Sequence, residues 1–195
     1  MLRVGALVSG GGRTVINLQK AILRGEVPAE IVTVIAHRDD IPAVKRCRDQ
    51  GILVNIVPAT TDDSYADHID EMLEMHNVEL VCLAGYLRHF RVGEKWEGKT
   101  INIHPALLPR HGGKGMFGHH VHRSVLASGD THTGCTVHLV NEEYDQGQVL
   151  IQRTCAVHAE DDVDSLAERV FQEECVAMPE AVKAIAEGTI SLPSA

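Results

Sequence analysis

Short apolar runs alternate with stretches of helical periodicity along the first half of the chain. The apolar runs predict strands over residues 2–8, 31–36, 52–57 and 78–84. Between them, apolar side chains recur at the spacing of one face of an amphipathic helix. Strands that alternate with helices in this way are typical of a parallel sheet with helices on both faces.

Capping residues and glycines indicate where these helices begin and end. A helical pattern starts near Thr14, and a second helix over residues 41–50 is closed by Gly51. The side-chain oxygens of Asp62 and Asp63 are expected to cap the third helix. One face of that helix comprises Tyr65, Ile69, Met72, Leu73 and His76. This stripe predicts a core face, with its histidine at the helix end rather than in a ligand site.

The second half of the chain predicts a different strand arrangement. Two strands, over residues 136–140 and 149–157, are separated by a short loop, which is typical of an antiparallel hairpin. Asp161 and Asp162 cap a long final helix. Its buried stripe comprises Val163, Leu166, Val170, Phe171, Ala177, Met178, Val182 and Ile185. The sequence therefore predicts one α/β domain over residues 1–195, with a doubly wound, mostly parallel sheet, helices on both faces and an antiparallel C-terminal hairpin.

Net charge and apolar run length exclude several classes of protein. The formal charge is −9, which argues against a nucleic-acid partner because such binding needs a basic surface. No apolar run approaches the ~20 residues of a membrane span, and the first residues lack the pattern of a signal peptide. The five cysteines form no C-x-x-C pair, which favours reduced thiols. We expect a cytoplasmic protein, monomeric or homodimeric, without nucleic-acid or membrane partners.

A glycine-rich loop follows the first strand, at residues 9–12 (SGGG). Free amides in such a loop, together with the N-terminus of the next helix, favour a phosphate. The loop lacks the G-K-[ST] of a triphosphate loop, and Val15 stands where a dinucleotide fingerprint needs its third glycine. A monophosphate is therefore favoured as the ligand. A tight turn without a ligand is the open alternative.

Residues 101–118 (INIHPALLPRHGGKGMFG) form the centre of the predicted site. Asn102 and His104 are two apart on a strand, so their side chains leave the same face. A glycine run follows, in which the backbone can approach a ligand closely, and a short helix is predicted over residues 122–128. A polar pair at the end of a strand, before a glycine-rich loop, indicates a ligand site on an α/β sheet.

Asn102, His104 and Asp145 are candidates for one catalytic unit. A carboxylate beside a histidine favours the cationic imidazole, and an amide can donate to an oxygen that becomes negative. Such a set suits acyl transfer by direct attack, because no serine or cysteine lies in the context of a covalent nucleophile. The alternative is that the amide and imidazole satisfy loop amides while the carboxylate caps a turn.

Two further segments are candidate binding sites. His111, His119, His120 and His122 cluster in sequence, but their spacing matches no zinc motif. We therefore predict no metal. Residues 85–90 (GYLRHF) leave the carboxyl end of a strand and would suit a flat heteroaromatic ring, although an ordinary amphipathic turn explains them as well.

Five motifs together resemble the folate-dependent formyltransferases. These are VSGGG at 8–12, LAGYLR at 83–88, NIHPALLP at 102–109, GGKGMFG at 112–118 and YDQG at 144–147, and they occur in the family's order. The resemblance covers nearly the whole chain. It is closest to the members that act on glycinamide ribonucleotide.

The resemblance implies that a formyl group passes from 10-formyltetrahydrofolate, the co-substrate, to the amine of glycinamide ribonucleotide. It implies a phosphate-binding half over about residues 1–100 and a catalytic, folate-binding half over about 101–195. The implied catalytic set is Asn102, His104 and Asp145. The residues implied to hold the ribonucleotide are Gly11, Gly12, Arg13 and Glu174. Those implied to hold the folate are Leu87, Arg88, His89, Phe90, Asn102 and Tyr144.

The phosphate loop departs from the family pattern Ser-Gly-x-Gly-Ser-Asn-Leu. Residues 13–16 (RTVI) are inserted before Asn17, which predicts a longer loop in which Arg13, Thr14 or Asn17 meets the phosphate. Because this loop selects the amine, a formyltetrahydrofolate hydrolase and a formyltransferase for another phosphorylated amine or an amino sugar remain alternatives. A non-catalytic folate- or nucleotide-binding regulator is the alternative from another class.

Overall fold

A single mixed sheet organises the chain in a computed structural model, which describes residues 1–60 and 64–193. The strands are β1 (Leu2–Val8), β2 (Ala29–Ala36), β3 (Val54–Ile56), β4 (Leu80–Leu83), β5 (Thr100–His104), β6 (His132–Leu139) and β7 (Val149–Ala156). Their order across the sheet is β3-β2-β1-β4-β5-β6-β7. The first five pair in parallel, whereas β5–β6 and β6–β7 are antiparallel. This is the mostly parallel sheet with an antiparallel C-terminal hairpin that the sequence predicts.

Helices cover both faces of the sheet. They are α1 (Arg13–Leu23), α2 (Pro42–Asp49), α3 (Ser64–Met75), α4 (Gly93–Trp96), α5 (His119–Ser128) and α6 (Val163–Ala186). Alternate strand residues face opposite layers: Val4 and Ala6 pack in the core that includes α1, α2, α5 and α6, while Leu7 packs in the core with α3 and α4. A buried set on each face explains why the central strands are almost continuously apolar.

The start of α6 lies where the sequence predicts it, because hydrogen bonds between neighbouring residues determine it. Asp162 accepts hydrogen bonds from the backbone N–H groups of Asp164 and Ser165, and its own N–H donates to the Ser165 hydroxyl, forming a capping box at the start of α6. This arrangement satisfies backbone groups that have no partner within the helix. Of the predicted stripe, Leu166, Val170 and Met178 are among the buried residues. The predicted caps Asp62 and Asp63 lie outside the described residues.

Several strands and helices begin or end at other residues than the sequence predicts. β3 and β4 are shorter than the predicted strands over 52–57 and 78–84. The helix α5 begins at His119 rather than at residue 122 and ends at Gly129, whose φ of 70° suits glycine. The short helix α4 was not predicted. No helix within the described ranges has the length and apolarity that a membrane crossing requires.

Candidate active site

A cavity of about 560 Å³ opens where the carboxyl ends of the parallel strands meet α6. Loops after β4, β5 and β6 form most of its wall, and the start of α1 and one side of α6 close it. Ligands of open α/β sheets bind at this edge. The residues that line the cavity include Asn102, His104, His138 and Asp145.

The structure brings the predicted catalytic set together from two separate segments. Asn102 and His104 lie at the end of β5, and Asp145 lies in the loop between β6 and β7. Nδ1 of His104 is 3.4 Å from Oδ2 of Asp145. The Asn102 amide nitrogen is 3.5 Å from Oδ1 of the same carboxylate. One carboxylate therefore contacts both members of the β5 pair.

The backbone around Asp145 holds its carboxylate in place. Its φ of 59° lies in the left-handed region, and the N–H of Gly113 donates to Oδ2 over 2.9 Å. A Cβ at Gly112 would come within 3.2 Å of the Asp145 Cβ and would clash with the end of the Leu108 side chain, so a larger residue there would have to displace Leu108. Burial alone would raise the pKa of Asp145, but the His138 and His104 rings and the Gly113 amide lower it below its ordinary value. The carboxylate is therefore ionised at neutral pH.

The His104 ring is almost fully buried and engaged at both nitrogens. Its Nε2 donates to the backbone carbonyl of His111 over 2.9 Å, while Nδ1 faces Asp145. Burial lowers the pKa of His104 below its ordinary value, and the nearby carboxylate only partly opposes this effect. Desolvation therefore opposes the cationic ring that the sequence predicts, whereas the charge of Asp145 favours it.

His138 lies on one face of a predicted strand and is absent from the predicted site, but the structure brings it there. It is paired with Asn102 across β5 and β6, and its side chain is 2% exposed. Its Nδ1 donates to the carbonyl of Leu139 over 2.7 Å, which leaves Nε2 to accept from the Asn102 amide over 3.1 Å. His138 thus orients the Asn102 side chain. The one available signal was a polar residue inside the apolar strand TVHLV.

At one end of the cavity, part of the predicted ribonucleotide set lines the wall. Arg13 and Thr14 face the cavity together with Glu174. The Arg13 guanidinium lies 3.6 Å from the Phe171 ring centre and is paired with Glu168 at 2.7 Å. Burial raises the pKa of Glu174 to about 7, against the opposing effects of Arg13 and a hydrogen bond with Thr14. A cation and a titratable carboxyl therefore stand side by side at this end.

The remaining predicted phosphate residues do not line the cavity. Gly11 is exposed, and Asn17 donates to the carbonyl of Cys175 over 2.6 Å. Gly12 turns the chain directly into α1 with a φ of 69°, and its Cα packs against Ala43, where a Cβ would come within 2.7 Å. The expectation of a longer loop is thus wrong: residues 13–16 form the first turn of α1. The left-handed glycine starts the helix at once, so the inserted residues extend the helix.

The predicted folate set also lines the cavity, and we call this mostly apolar and aromatic part of its wall the slot. Leu87, Arg88, His89, Phe90 and Tyr144 all line it. The rings of His89 and Tyr144 meet edge to face, with centroids 5.7 Å apart. Phe90 is buried, whereas Leu87 and Tyr144 are 54% and 45% exposed. Large apolar groups left open to solvent in a slot are suited to covering a flat ring.

The four clustered histidines point to separate partners. His111 contacts Ser124 and Asp130, His119 is 3.6 Å from Asp164, and the His120 ring meets Phe117. Among the residues the structure describes, no group of three or more His, Cys, Asp or Glu side chains is placed to hold a metal ion. His122 is buried in the cavity wall, and its Nδ1 has no hydrogen-bond partner.

The buried His122 makes stability depend on pH. Burial, with smaller contributions from His119 and His104, lowers its pKa from 6.5 to about 4. Between these values the unfolded chain binds a proton that the folded chain does not, so the contribution to stability is full above pH 6.5 and is lost as the pH falls to about 4. We expect this loss to be about 3 kcal/mol. His122→Gln removes the titrating group, so its free energy of unfolding should fall less over this range.

Urea denaturation from pH 7 to 4 measures this effect. The matched control is His68→Gln on the exposed side of α3, which should follow the wild-type curve. Parallel curves for the wild type and His122→Gln would contradict the expected proton linkage.

Comparison with known proteins gives one consistent relationship. The family model for formyl transferases matches residues 2–182. A chloroplastic phosphoribosylglycinamide formyltransferase from Arabidopsis thaliana is 36% identical over 194 residues, which cover 96% of this chain and 66% of that protein. The trifunctional purine biosynthetic protein adenosine-3 of Gallus gallus is 35% identical over 100% of this chain. This chain spans only 19% of the chicken protein.

Solved structures show the same similarity. Glycinamide ribonucleotide transformylase 1 from Symbiobacterium toebii superposes with a TM-score of 0.92 at 31% identity, covering 100% of this chain and 92% of that one. A formyltetrahydrofolate deformylase from Pseudomonas syringae pv. tomato superposes with a TM-score of 0.88. At 20% identity over 99% of this chain and 64% of that one, the deformylase shares the fold.

Proposed function

This chain belongs to the formyl transferase family, and we propose that it transfers the formyl group of 10-formyltetrahydrofolate to the amine of glycinamide ribonucleotide. The observation that supports this most is that Asn102, His104 and Asp145 share one cavity with an aromatic slot and with Arg13. A flat donor and a phosphorylated acceptor would meet at these three side chains. The relatives that are similar over most of this chain bear names of the same activity.

The donor fits the slot formed by residues 87–90 and Tyr144. When bound there, 10-formyltetrahydrofolate supplies an activated formyl carbon. The half-exposed Leu87 and Tyr144 side chains would cover its pterin, and Phe90 provides a buried apolar floor. Excluding water from this slot strengthens every electrostatic contact at the reacting carbon.

Asn102, His104 and Asp145 have different roles in a direct attack by the amine. The substrate amine, neutral when it attacks, forms a bond to the formyl carbon while the formyl oxygen becomes negative. The Asn102 amide donates to this oxygen. The proton that the amine loses passes through Asp145 to Nδ1 of His104, 3.4 Å away. The resulting imidazolium stabilises the oxyanion. When the carbonyl re-forms, the bond between the formyl carbon and the folate nitrogen breaks, and the proton then moves by way of water to that nitrogen.

The acceptor phosphate fits the end of the cavity where Arg13 begins α1. Of the three candidates, Arg13 and Thr14 face the cavity, and Asn17 is committed to a backbone carbonyl of α6. A phosphate in this position would compete with Glu168 for the Arg13 guanidinium. Glu174, deeper in the same wall, would accept from the sugar or glycinamide end.

An Arg13→Ala variant tests the acceptor site. We expect the KM for the phosphorylated amine to rise about 10- to 100-fold, because a charge-assisted hydrogen bond is lost, while kcat changes much less. The matched control is Arg24→Ala, an exposed residue directly after the same helix, which should leave KM unchanged. An equal rise in KM for an amine without a phosphate would contradict this assignment.

Formyl transfer itself is tested by following 10-formyltetrahydrofolate consumption with a panel of phosphorylated amines and amino sugars. We expect consumption to depend on glycinamide ribonucleotide and to yield its formyl derivative. Consumption without any amine would indicate a hydrolase, and turnover with another member of the panel would change the acceptor. Binding of both ligands without turnover would indicate a regulator.

A further inference from the structure

His111 has a strained backbone and a side chain held from two sides, and the proposed mechanism uses neither. Its φ is 57°, a left-handed conformation that residues other than glycine rarely adopt. Strain of this kind persists only where surrounding contacts enforce it, and such residues cluster at functional sites. The residue lies in the loop between β5 and α5, directly before the glycine run.

The contacts that enforce this conformation form a clamp around the imidazole. Nδ1 of His111 lies 2.8 Å from the Ser124 hydroxyl of α5, and Nε2 lies 2.8 Å from Oδ2 of Asp130. The other carboxylate oxygen of Asp130 pairs with Arg110 at 2.7 Å. The side chains of His111 and Asp130 are only 11% and 16% exposed. We call His111, Ser124 and Asp130 the imidazole clamp.

The clamp fixes where the His111 backbone carbonyl points. That carbonyl accepts a 2.9 Å hydrogen bond from Nε2 of His104. Because a carbonyl only accepts, Nε2 of His104 must carry a proton, which leaves Nδ1 as the nitrogen that gains and loses one. Nδ1 is the atom that faces Asp145. The orientation of one backbone carbonyl thereby selects the tautomer of the buried His104 ring.

We propose that His111 is a positioning residue, whose clamped imidazole holds its own backbone carbonyl against His104 and so keeps His104 in the Nε2–H tautomer. Its catalytic importance rests on the proposed function, because His104 would exchange its proton with Asp145 only at Nδ1. The tautomer of His104 is a property of the ligand-free protein and does not depend on the proposed function.

Imidazole ¹⁵N NMR of the ligand-free protein tests the tautomer without any assay of activity. In the wild type we expect His104 to show a protonated Nε2 and an unprotonated Nδ1. His111→Gly accepts the left-handed backbone but has no imidazole, and Asp130→Asn weakens the clamp while His111 stays. In both variants we expect the two His104 nitrogen shifts to move toward each other as the tautomers mix. Wild-type shifts in both folded variants would overturn the proposal.

Steady-state kinetics provide the second readout. We expect kcat of His111→Gly to fall at least 10-fold with KM for both substrates within 2-fold of the wild type. The control is His158→Ala in the exposed segment before α6, which should change neither the shifts nor kcat. A lower melting temperature with unchanged His104 shifts would mean that the clamp only stabilises the loop. Mixed tautomers in a protein without formyl transfer would support the clamp and reject the proposed function.

Discussion

His104→Ala is expected to lower kcat by about 10²- to 10⁴-fold, the usual contribution of a positioned acid or base. The wild-type ring lies 3.4 Å from Asp145 in a buried site, and in the proposed mechanism it receives the proton of the amine there. Alanine removes both the proton acceptor and the positive charge that stabilises the oxyanion. Because neither is needed to bind the pterin, the dissociation constant for folate should change much less.

Single-turnover kinetics and titration with a non-reactive folate measure the two quantities separately. His132→Ala, at the exposed start of β6, is the matched control and should retain wild-type values in both. If the kcat and the folate affinity of His104→Ala fell by the same factor, the residue would contribute to uniform binding rather than to the chemical step.

Asp145→Asn is expected to lower kcat by about 10²- to 10³-fold, similar to the loss of one group that stabilises a transition-state charge. The amide has the shape of the carboxylate, so a hydrogen bond from the Gly113 N–H can persist. It cannot hold a negative charge beside His104 or accept the proton of the amine. We therefore expect a folded protein with a defect in turnover rather than in stability.

The pH dependence of activity provides a second test of the Asp145→Asn variant. The pKa of Asp145 is below its ordinary value, so the carboxylate is ionised at neutral pH and activity should be lost only as the pH falls into the acid range. That acid limb belongs to the coupled Asp145–His104 pair and should shift or disappear in Asp145→Asn. Asp49→Asn, on the exposed side of α2, is the control. A variant with wild-type kcat and an unchanged acid limb would contradict the proton-transfer role.

Much of the fold follows from local patterns. The apolar run 2–8 coincides with β1, and the two runs after residue 130 form the antiparallel β6–β7 pair. The N-cap of α6 was identifiable because its hydrogen bonds lie within a few residues of Asp162. The length of β3 could not be predicted in this way. It depends on pairing with β2, which involves residues far away in the sequence.

Only part of the candidate site could be predicted from local sequence patterns. Asn102 and His104 share a face by strand alternation alone, and Asp145 stands out in its acidic loop. His138 was missed because its relation to Asn102 exists only through the register of β5 with β6. The start of α1 was predicted to within one residue, whereas the expected longer loop was wrong, because the chain turns directly into the helix at Gly12, which packs closely against Ala43.

By itself, the sequence determined the layered sheet, the polar pair at the end of β5 and the motifs that resemble the formyl transferase family, because periodicity and short motifs are properties of neighbouring residues. Only the tertiary structure decided that one carboxylate reaches both Asn102 and His104, that burial lowers the pKa of His104, and that the His111 carbonyl accepts a hydrogen bond from Nε2 of that ring. Each of these depends on burial and on distances of a few ångströms between segments that the chain brings together only when it folds.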